Sequence, residues 1–209
     1  MTAKPRGRPK ADPDRDLRHE LLSTSRELLA EGGPGALSMR EVARRAGCTH
    51  QAPYYYFKDR ETILATLVVD GFADLATRLR AANELATIEG IKAAMVASAQ
   101  AYVHFAISQP GVFQIMFRPD MCDASRFPDV QQAGASAYAE LENLIKIVFG
   151  EQASTTLATI LWAQVHGLAS LMIDGSMEHQ FPTAEMRSKH IEDVTQKFAS
   201  VLLLNPEVK

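Results

Sequence analysis

Residues 38–57 read SMREVARRAGCTHQAPYYYF, and this stretch indicates how the N-terminal region folds. Ser38, followed three residues later by Glu41, forms a capping box. In it the serine hydroxyl accepts from the backbone N–H of Glu41, and the glutamate carboxylate reaches back to the Ser38 amide. Apolar residues then recur at helical spacing until Gly47, which can supply the positive-φ turn at a helix end. The stretch therefore predicts a short helix that ends in a tight turn.

The second half of the stretch predicts another short helix, from Thr49 to Tyr55 or Tyr56. Two short helices joined by a glycine-containing turn form a helix-turn-helix, whose second helix can enter the major groove of DNA. Small and polar residues open this second helix, so its start can approach base edges closely. Pro53 would occupy the fourth helical position, where a proline removes one hydrogen bond and is expected to tighten or shift the first turn.

The flanking sequence predicts further helices and no sheet. Leucines between positions 17 and 29 recur at helical spacing up to the Gly-Gly-Pro-Gly breaker at 32–35, and Asp59 can cap a long helix that connects to the rest of the chain. Additional helices are expected at about 90–108, 112–118, 129–149, 152–174 and 184–204. No window alternates with the period of a strand. We therefore expect an all-α fold of about nine helices.

The distribution of charge suggests a polyanionic partner for the N-terminal region. Residues 1–60 hold 12 Lys and Arg against 8 Asp and Glu, whereas the rest of the chain holds 10 against 17. A basic N-terminal region followed by an acidic remainder is typical of a chain whose N-terminal region binds nucleic acid.

The two cysteines suit a reducing compartment, and the N-terminus lacks the apolar segment of a signal peptide. We therefore expect a cytoplasmic protein.

These residues resemble the signature of the TetR family of transcriptional regulators. The matching positions are Ser38, Arg40, Ala46-Gly47-Cys48-Thr49, the aromatic run 54–57 and Arg60. The resemblance is strong over residues 17–64, and it extends to the remaining chain in helix order and length. It implies an N-terminal three-helix DNA-binding domain followed by a C-terminal helical domain that binds a ligand and dimerises. The implied function is that of a ligand-responsive regulator, a repressor that binds a palindromic operator on double-stranded DNA as a homodimer and is released by a small-molecule effector.

The resemblance also implies domain limits and DNA contacts. The expected units are a disordered basic arm at 1–16, a helix-turn-helix domain at 17–62 and a sensing and dimerisation domain at 63–209. Within the arm, residues 6–10 (RGRPK) can be either a minor-groove hook or a solvated tail. The expected phosphate contacts come from Ser38, Arg40, Thr49, Tyr54 and Arg60; base contacts come from His50, Gln51 and Ala52, and Tyr55 takes either role. Tyr56 and Phe57 are expected to pack in the core.

Large, soft side chains in the second half of the chain are candidates for a ligand pocket. An apolar cavity with a few placed polar groups is the usual form of a small-molecule site, so the effector is expected to be largely apolar. The candidate residues are Tyr102, Phe105, Phe113, Met116, Phe117, Met121, Trp162 and His166. Ordinary core packing is the alternative for each of them. The run from Trp162 to Gly167 also resembles the WHG subgroup of TetR C-terminal domains.

The last two expected helices are candidates for the dimer interface. Residues 152–173 carry no charge and are long enough to span a membrane, but they contain several Ser, Thr and Gln and one His. We therefore interpret the segment as a buried interface helix, with no membrane partner, because interface cores are poor in charge. Leu161, Leu168 and Leu202 are expected in this interface.

Other functional classes find less support in the sequence. An enzyme would need a phosphate loop, a nucleophile elbow or a cluster of acid–base residues, and none is present, so we expect no catalytic residues and no cofactor. A metal-responsive regulator using Asp174, Glu178, His179 or Cys122 is a minor alternative, and we expect no metal. A structural or recombination protein with a helix-turn-helix is another, although the chain has no second basic domain.

Overall fold

The computed structural model describes residues 16–150 and 154–204, and every described element is helical. The predicted basic arm lies outside the described residues except for Asp16. The eight α-helices are α1 (Leu17–Ala36), α2 (Met39–Arg45), α3 (Arg60–Glu84), α4 (Ile91–Ser108), α5 (Pro110–Met116), α6 (Pro128–Phe149), α7 (Thr155–Ile173) and α8 (Ala184–Leu204). Two short 3₁₀ helices cover Ala52–Tyr55 and Leu85–Thr87. No strand occurs in the described ranges, so the all-α prediction is confirmed.

Side-chain caps fix where the N-terminal helices begin. Ser38 accepts from the backbone N–H of Glu41 at 3.2 Å at the start of α2, and Asp59 accepts from that of Thr62 at 2.8 Å at the start of α3. The second half of the predicted capping box differs, because the Glu41 carboxylate accepts from Arg44 and Arg45 instead. Two neighbouring guanidinium groups attract a carboxylate more strongly than one backbone amide does.

The predicted second helix of the helix-turn-helix is shorter and tighter than expected. A turn occupies residues 50–51, and only Ala52–Tyr55 are helical, in 3₁₀ form. Pro53 explains the difference, since it has no N–H to bond the carbonyl of Thr49. That carbonyl instead accepts from Ala52 at 2.9 Å, in the i→i−3 pattern of a 3₁₀ helix.

The long helix α3 joins the two ends of the molecule. Its 25 residues span about 37 Å at the usual rise per residue. Ile63 and Leu64, near its start, are buried in the N-terminal core, whereas Phe72 and Leu79 farther along pack into the C-terminal body. A second apolar cluster fills the space between α4, α6, α7 and α8. The N-terminal motif and the C-terminal body are therefore connected through one continuous helix.

Helix α5 packs directly against α1 and α3. A Cβ atom on Gly111 would lie 2.5 Å from the backbone carbonyl carbon of Leu29, so glycine alone permits this approach to α1. On the other side, a Cβ on Gly71 of α3 would lie 2.8 Å from side-chain atoms of Val112 and Met116. Helix α5 is thus wedged between the first helix and the connecting helix.

Candidate nucleic-acid interface and ligand cavity

The N-terminal motif presents a polar and aromatic surface on a buried anchor. Pro53 is buried and Phe57 is 2% exposed, which fixes the 3₁₀ helix to the core. Thr49, His50 and Gln51 lie exposed just before it, and Ala52 is half-buried. The sequence assigns His50, Gln51 and Ala52 to base contacts and Thr49 to a phosphate contact. The structure brings them together in one exposed turn.

Three tyrosines extend this exposed surface. Tyr54 is 56% exposed, Tyr55 85% and Tyr56 46%. The prediction that Tyr56 packs in the core is therefore wrong, because the 3₁₀ geometry turns its ring outward while Phe57 takes the core position. A tyrosine as exposed as Tyr55 leaves a large apolar ring in water. Such a ring combines an apolar body with a polar tip that suits contact with another molecule.

The arginines of α2 differ in how they are bound. Arg44 donates to Glu41 at 2.8 and 2.7 Å, and Arg45 pairs with both Glu41 and Glu31 of α1. The hydrogen bond from Arg44, followed by that from Arg45, lowers the pKa of Glu41 to about 2. Arg40 is exposed and has no hydrogen bond or ion pair with any described residue. It is therefore available to an external anion.

Arg60 is half-buried and bonds to the backbone at the end of α1. Its guanidinium donates to the carbonyl oxygens of Leu37, at 2.8 Å, and Pro34, at the end of α1. Helix ends leave carbonyl groups without intrahelical partners, and a cation satisfies them well. A guanidinium carries five N–H donors, so the phosphate contact that the sequence suggests for Arg60 can use the donors that these two bonds leave over. The same two bonds let Arg60 brace the end of α1 against the start of α3.

A mostly apolar cavity of about 280 Å³ lies in the C-terminal body, between α3, α4, α6, α7 and α8. Its aromatic lining consists of Phe72, Tyr102, Phe117, Tyr138, Trp162 and Phe198. Of the eight residues that the sequence predicts for a pocket, Tyr102, Phe117 and Trp162 line it. The other five are not among its lining residues: Phe105, Phe113 and Met116 are buried in the core, and Met121 and His166 are half-buried.

Tyr102 connects the cavity wall to the aromatic core. The indole N–H of Trp162 donates to the Tyr102 hydroxyl oxygen at 3.2 Å, and that oxygen lies 2.9 Å from Nδ1 of His166. Because an indole can only donate, the tyrosine proton is free to bond the histidine nitrogen. Burial lowers the pKa of His166, which favours the neutral ring that can accept this proton. The ring of Phe113 stacks on that of His166 with their centroids 5.2 Å apart, so contacts on several sides hold the imidazole ring in place.

Sequence reasoning missed the polar residues of the cavity. Glu140, Ser98 and Thr195 all line it and are buried. Arg80 pairs with Glu140 at 2.8 Å from the solvent side. Nothing in the local sequence separates Glu140 from the exposed Glu142 two residues later, because only the packing of α6 on α3 decides which of the two is buried.

The leucines predicted for the dimer interface pack inside the single chain instead of facing outward. Leu161 and Leu168 are each 7% exposed and pack within the chain, and Leu202 is half-buried. Helix α7 turns other apolar positions outward. By length and composition it could cross a membrane, a test that core helices of soluble proteins also pass, and 33% of its most apolar window is buried.

Within the described ranges, no group of three or more His, Cys, Asp or Glu could hold a metal ion.

Comparison with known proteins gives two family matches. Residues 21–67 match the model described as bacterial regulatory proteins, tetR family, and residues 95–194 match the tetracyclin repressor-like C-terminal domain. A curated relative, the HTH-type transcriptional regulator Rv1816 of Mycobacterium tuberculosis, is 26% identical over 106 residues, which are 51% of this chain and 45% of the relative. The match thus spans about half the length of such relatives.

Solved structures show the same fold over nearly the whole chain. A protein of unknown function from Rhodococcus sp. RHA1 has a TM-score of 0.70 at 24% identity, covering 93% of this chain and 96% of that one. The TetR family transcriptional regulator PfmR from Thermus thermophilus has a TM-score of 0.65 at 21% identity, covering 90% and 96%. At these identities the similarity concerns the fold alone.

Proposed function

The chain belongs to the TetR family of bacterial regulatory proteins, and we propose that it is a cytoplasmic, ligand-responsive repressor that binds a palindromic operator as a homodimer. One observation carries the proposal: the exposed turn of Thr49, His50 and Gln51 stands on a buried aromatic anchor. We place the DNA-binding domain at 17–62 and the sensing and dimerisation domain at 63–209. The similarity of the C-terminal domain to the WHG subgroup stays a prediction.

The proposed DNA contacts follow from exposure and from free hydrogen-bonding groups. Gln51 can pair with both N6 and N7 of adenine, and His50 can donate to guanine; a good pair of this kind discriminates bases by about 1–3 kcal/mol. Arg40 is the proposed phosphate contact on α2. The Ser38 hydroxyl accepts within its cap but keeps its own proton for a phosphate oxygen. Tyr54 and Tyr55 can donate to the DNA backbone from the far end of the turn.

A homodimer would cover the outward face of α7. Exposed positions Ile160, Ala163, Gly167 and Leu171 recur at helical spacing along this helix and carry no charge. Small residues at its centre let a second helix approach closely. Val201 is an exposed apolar residue on α8, which packs on α4 as α7 does. Two copies would place two motifs on one duplex, as a palindrome requires.

The cavity is the proposed effector site, and α3 is the proposed link to the DNA. Phe72, Leu75 and Leu79 of α3 line the cavity, while the start of the same helix lies beside the motif. A ligand that binds better to one position of α3 shifts the population toward that position. The separation of the two motifs in the dimer would change with it, and the operator would be released.

Selection of bound sites from random duplex DNA tests the DNA-binding role. The purified chain is incubated with the pool at low salt, and the retained duplexes are sequenced over several rounds. We expect a palindromic consensus, because a two-fold dimer reads two inverted half-sites. A pool that stays random after selection would contradict the proposed function.

A further inference from the structure

Most polar side chains that line the cavity already donate their hydrogen bonds to other groups of the protein. The Trp162 indole donates to Tyr102, and the Tyr102 hydroxyl lies at hydrogen-bond distance from His166. The Ser98 hydroxyl donates to the side-chain oxygen of Asn83 at 2.8 Å. Each of these hydroxyl groups can still accept a hydrogen bond, but its proton is already engaged.

Thr195 and Tyr138 complete the uncharged polar lining. The Thr195 hydroxyl donates to the carbonyl oxygen of Ile191 at 2.8 Å and accepts from Gln100 at 3.4 Å. The Tyr138 hydroxyl, on a half-buried ring, is the neutral donor that remains. Among the described lining residues, a ligand with a buried negative charge would therefore find one neutral donor, which is far too little to offset the loss of its hydration.

The charged residue among those lining the cavity is a carboxylate. Glu140 is 8% exposed, and its Oε1 accepts from Nε and Nη2 of Arg80, both at 2.8 Å. Within the described part of the chain, its Oε2 has no hydrogen-bond partner. Arg80 does not line the cavity; its side chain is 60% exposed in an outer cleft, and Glu140 lies between that cleft and the cavity and lines both. A carboxylate can accept several hydrogen bonds, so Glu140 can bind a second cation from the cavity side.

Aromatic rings add a second attraction for positive charge. Phe117 and Tyr138 pack around Trp162, with ring centroids 5.8 and 6.2 Å away, and all three rings line the cavity. The face of an aromatic ring attracts a cation, most strongly where water is excluded. The lining thus combines one buried carboxylate, several aromatic rings and no cationic side chain among the described lining residues.

We propose that the cavity selects an apolar cation, a compact amine with an aromatic or alkyl body whose ammonium group binds Glu140. This inference rests on the effector role proposed above and specifies the class of effector. The ammonium donates to the Glu140 carboxylate, which offsets its desolvation. Carboxylates of the same size are rejected, since they meet another carboxylate and, among the described lining residues, only the Tyr138 hydroxyl as a donor.

Three small ligands that differ only in their polar group test this selectivity. They are phenylbutylamine, phenylbutanol and phenylbutanoate, each titrated into the full chain at neutral pH. Trp162 is the single tryptophan of the chain and lines the cavity, so its fluorescence reports occupancy directly. We expect the amine to bind at least about tenfold more tightly than the alcohol, and the carboxylate to bind most weakly.

Charge-removing variants locate the effect. Glu140→Gln should bring the amine and the alcohol to within about threefold of each other, because the amide keeps the shape but loses the charge. Glu142→Gln removes the same charge from an exposed position of the same helix and should change neither ligand. Arg80→Gln removes the competing cation and should shift the ratio further toward the amine. Thermal unfolding of each variant checks that it is folded.

The outcomes separate this inference from the proposed function. The inference is overturned if the carboxylate binds as tightly as the amine, if none of the three ligands binds, or if the amine preference survives in Glu140→Gln. Binding of the same preparations to selected DNA is measured in parallel. If one of these results occurs and the wild-type chain still binds the selected DNA, only the proposal of a cationic effector is rejected. If the wild-type chain does not bind DNA, the proposed function as a regulator is rejected.

Discussion

At the residue scale, His166 shows how burial disfavours the protonated form of one titratable side chain. Desolvation by burial lowers its pKa from the usual value of 6.5, and the neutral ring can accept the proton of Tyr102. The folded state therefore holds a proton on His166 less tightly than the unfolded chain does. Its contribution to stability is complete above the unfolded pKa and is lost as the pH falls through that value toward the folded pKa.

This difference predicts a measurable change in stability with pH. Between about pH 7.5 and 5, the free energy of unfolding of the wild type should fall more steeply than that of His166→Gln, whose side chain does not titrate. Denaturant titrations at several pH values measure both slopes. Because the carboxylates of the chain are common to both proteins, they cancel in the comparison. Parallel profiles would show that His166 is not held neutral by the fold.

At the element scale, the contact of α5 with α1 depends on a missing side chain. The Cβ of Gly111→Ala would lie 2.5 Å from the Leu29 carbonyl carbon and 2.7 Å from its Cβ. Backbone cannot rotate away as a long side chain can, so one of the helices must move. We expect Gly111→Ala to cost about 1–3 kcal/mol in the free energy of unfolding, as overpacking usually does.

A second glycine provides the matched control for this contact. A Cβ on Gly35 would meet no atom within 4 Å, and its φ is not positive. Gly35→Ala should therefore stay within about 0.5 kcal/mol of the wild type in the same urea titration. Equal effects of the two substitutions would mean that α5 does not press on α1 as the structure has it.

The elements also show which features a sequence can predict. Helix order, the caps at Ser38 and Asp59 and the position of the motif follow from local chemistry, since a cap needs only residues within one turn. The form of the second helix was only partly predictable: Pro53 forecast a disturbed first turn, but not a 3₁₀ helix of four residues. Periodicity predicts that a helix has an apolar face but not which partner covers that face.

The same reasoning explains the mixed result for the candidate site. The exposed turn near Thr49 is local, and the sequence identified it. The cavity is formed by five helices, so its lining depends on packing between distant segments, and the sequence named Tyr102, Phe117 and Trp162 but missed Glu140. Likewise, Leu161 and Leu168 are apolar at helical spacing, yet they face inward while Leu171 faces outward.

At the scale of the whole molecule, the outward face of α7 should control assembly. Leu171→Glu places a charge on an apolar position that is 46% exposed in the single chain and would be buried in the proposed dimer. Burying an unpaired charge is costly, so light scattering should show a monomer at concentrations where the wild type is a dimer. Ile88→Glu, at a position 77% exposed between α3 and α4, is the control and should leave the mass unchanged. A dimeric Leu171→Glu variant would place the interface elsewhere.

The most direct test of the whole account is the affinity of paired variants for the selected DNA. Residues 50–51 and 179–180 are both a His-Gln pair on the surface, the first in the proposed reading turn and the second in the loop before α8. We expect His50→Ala with Gln51→Ala to weaken specific binding by at least about tenfold, because base contacts are lost, while His179→Ala with Gln180→Ala binds like the wild type. Equal affinities for the two double variants would contradict the assignment of His50 and Gln51 as base-reading residues.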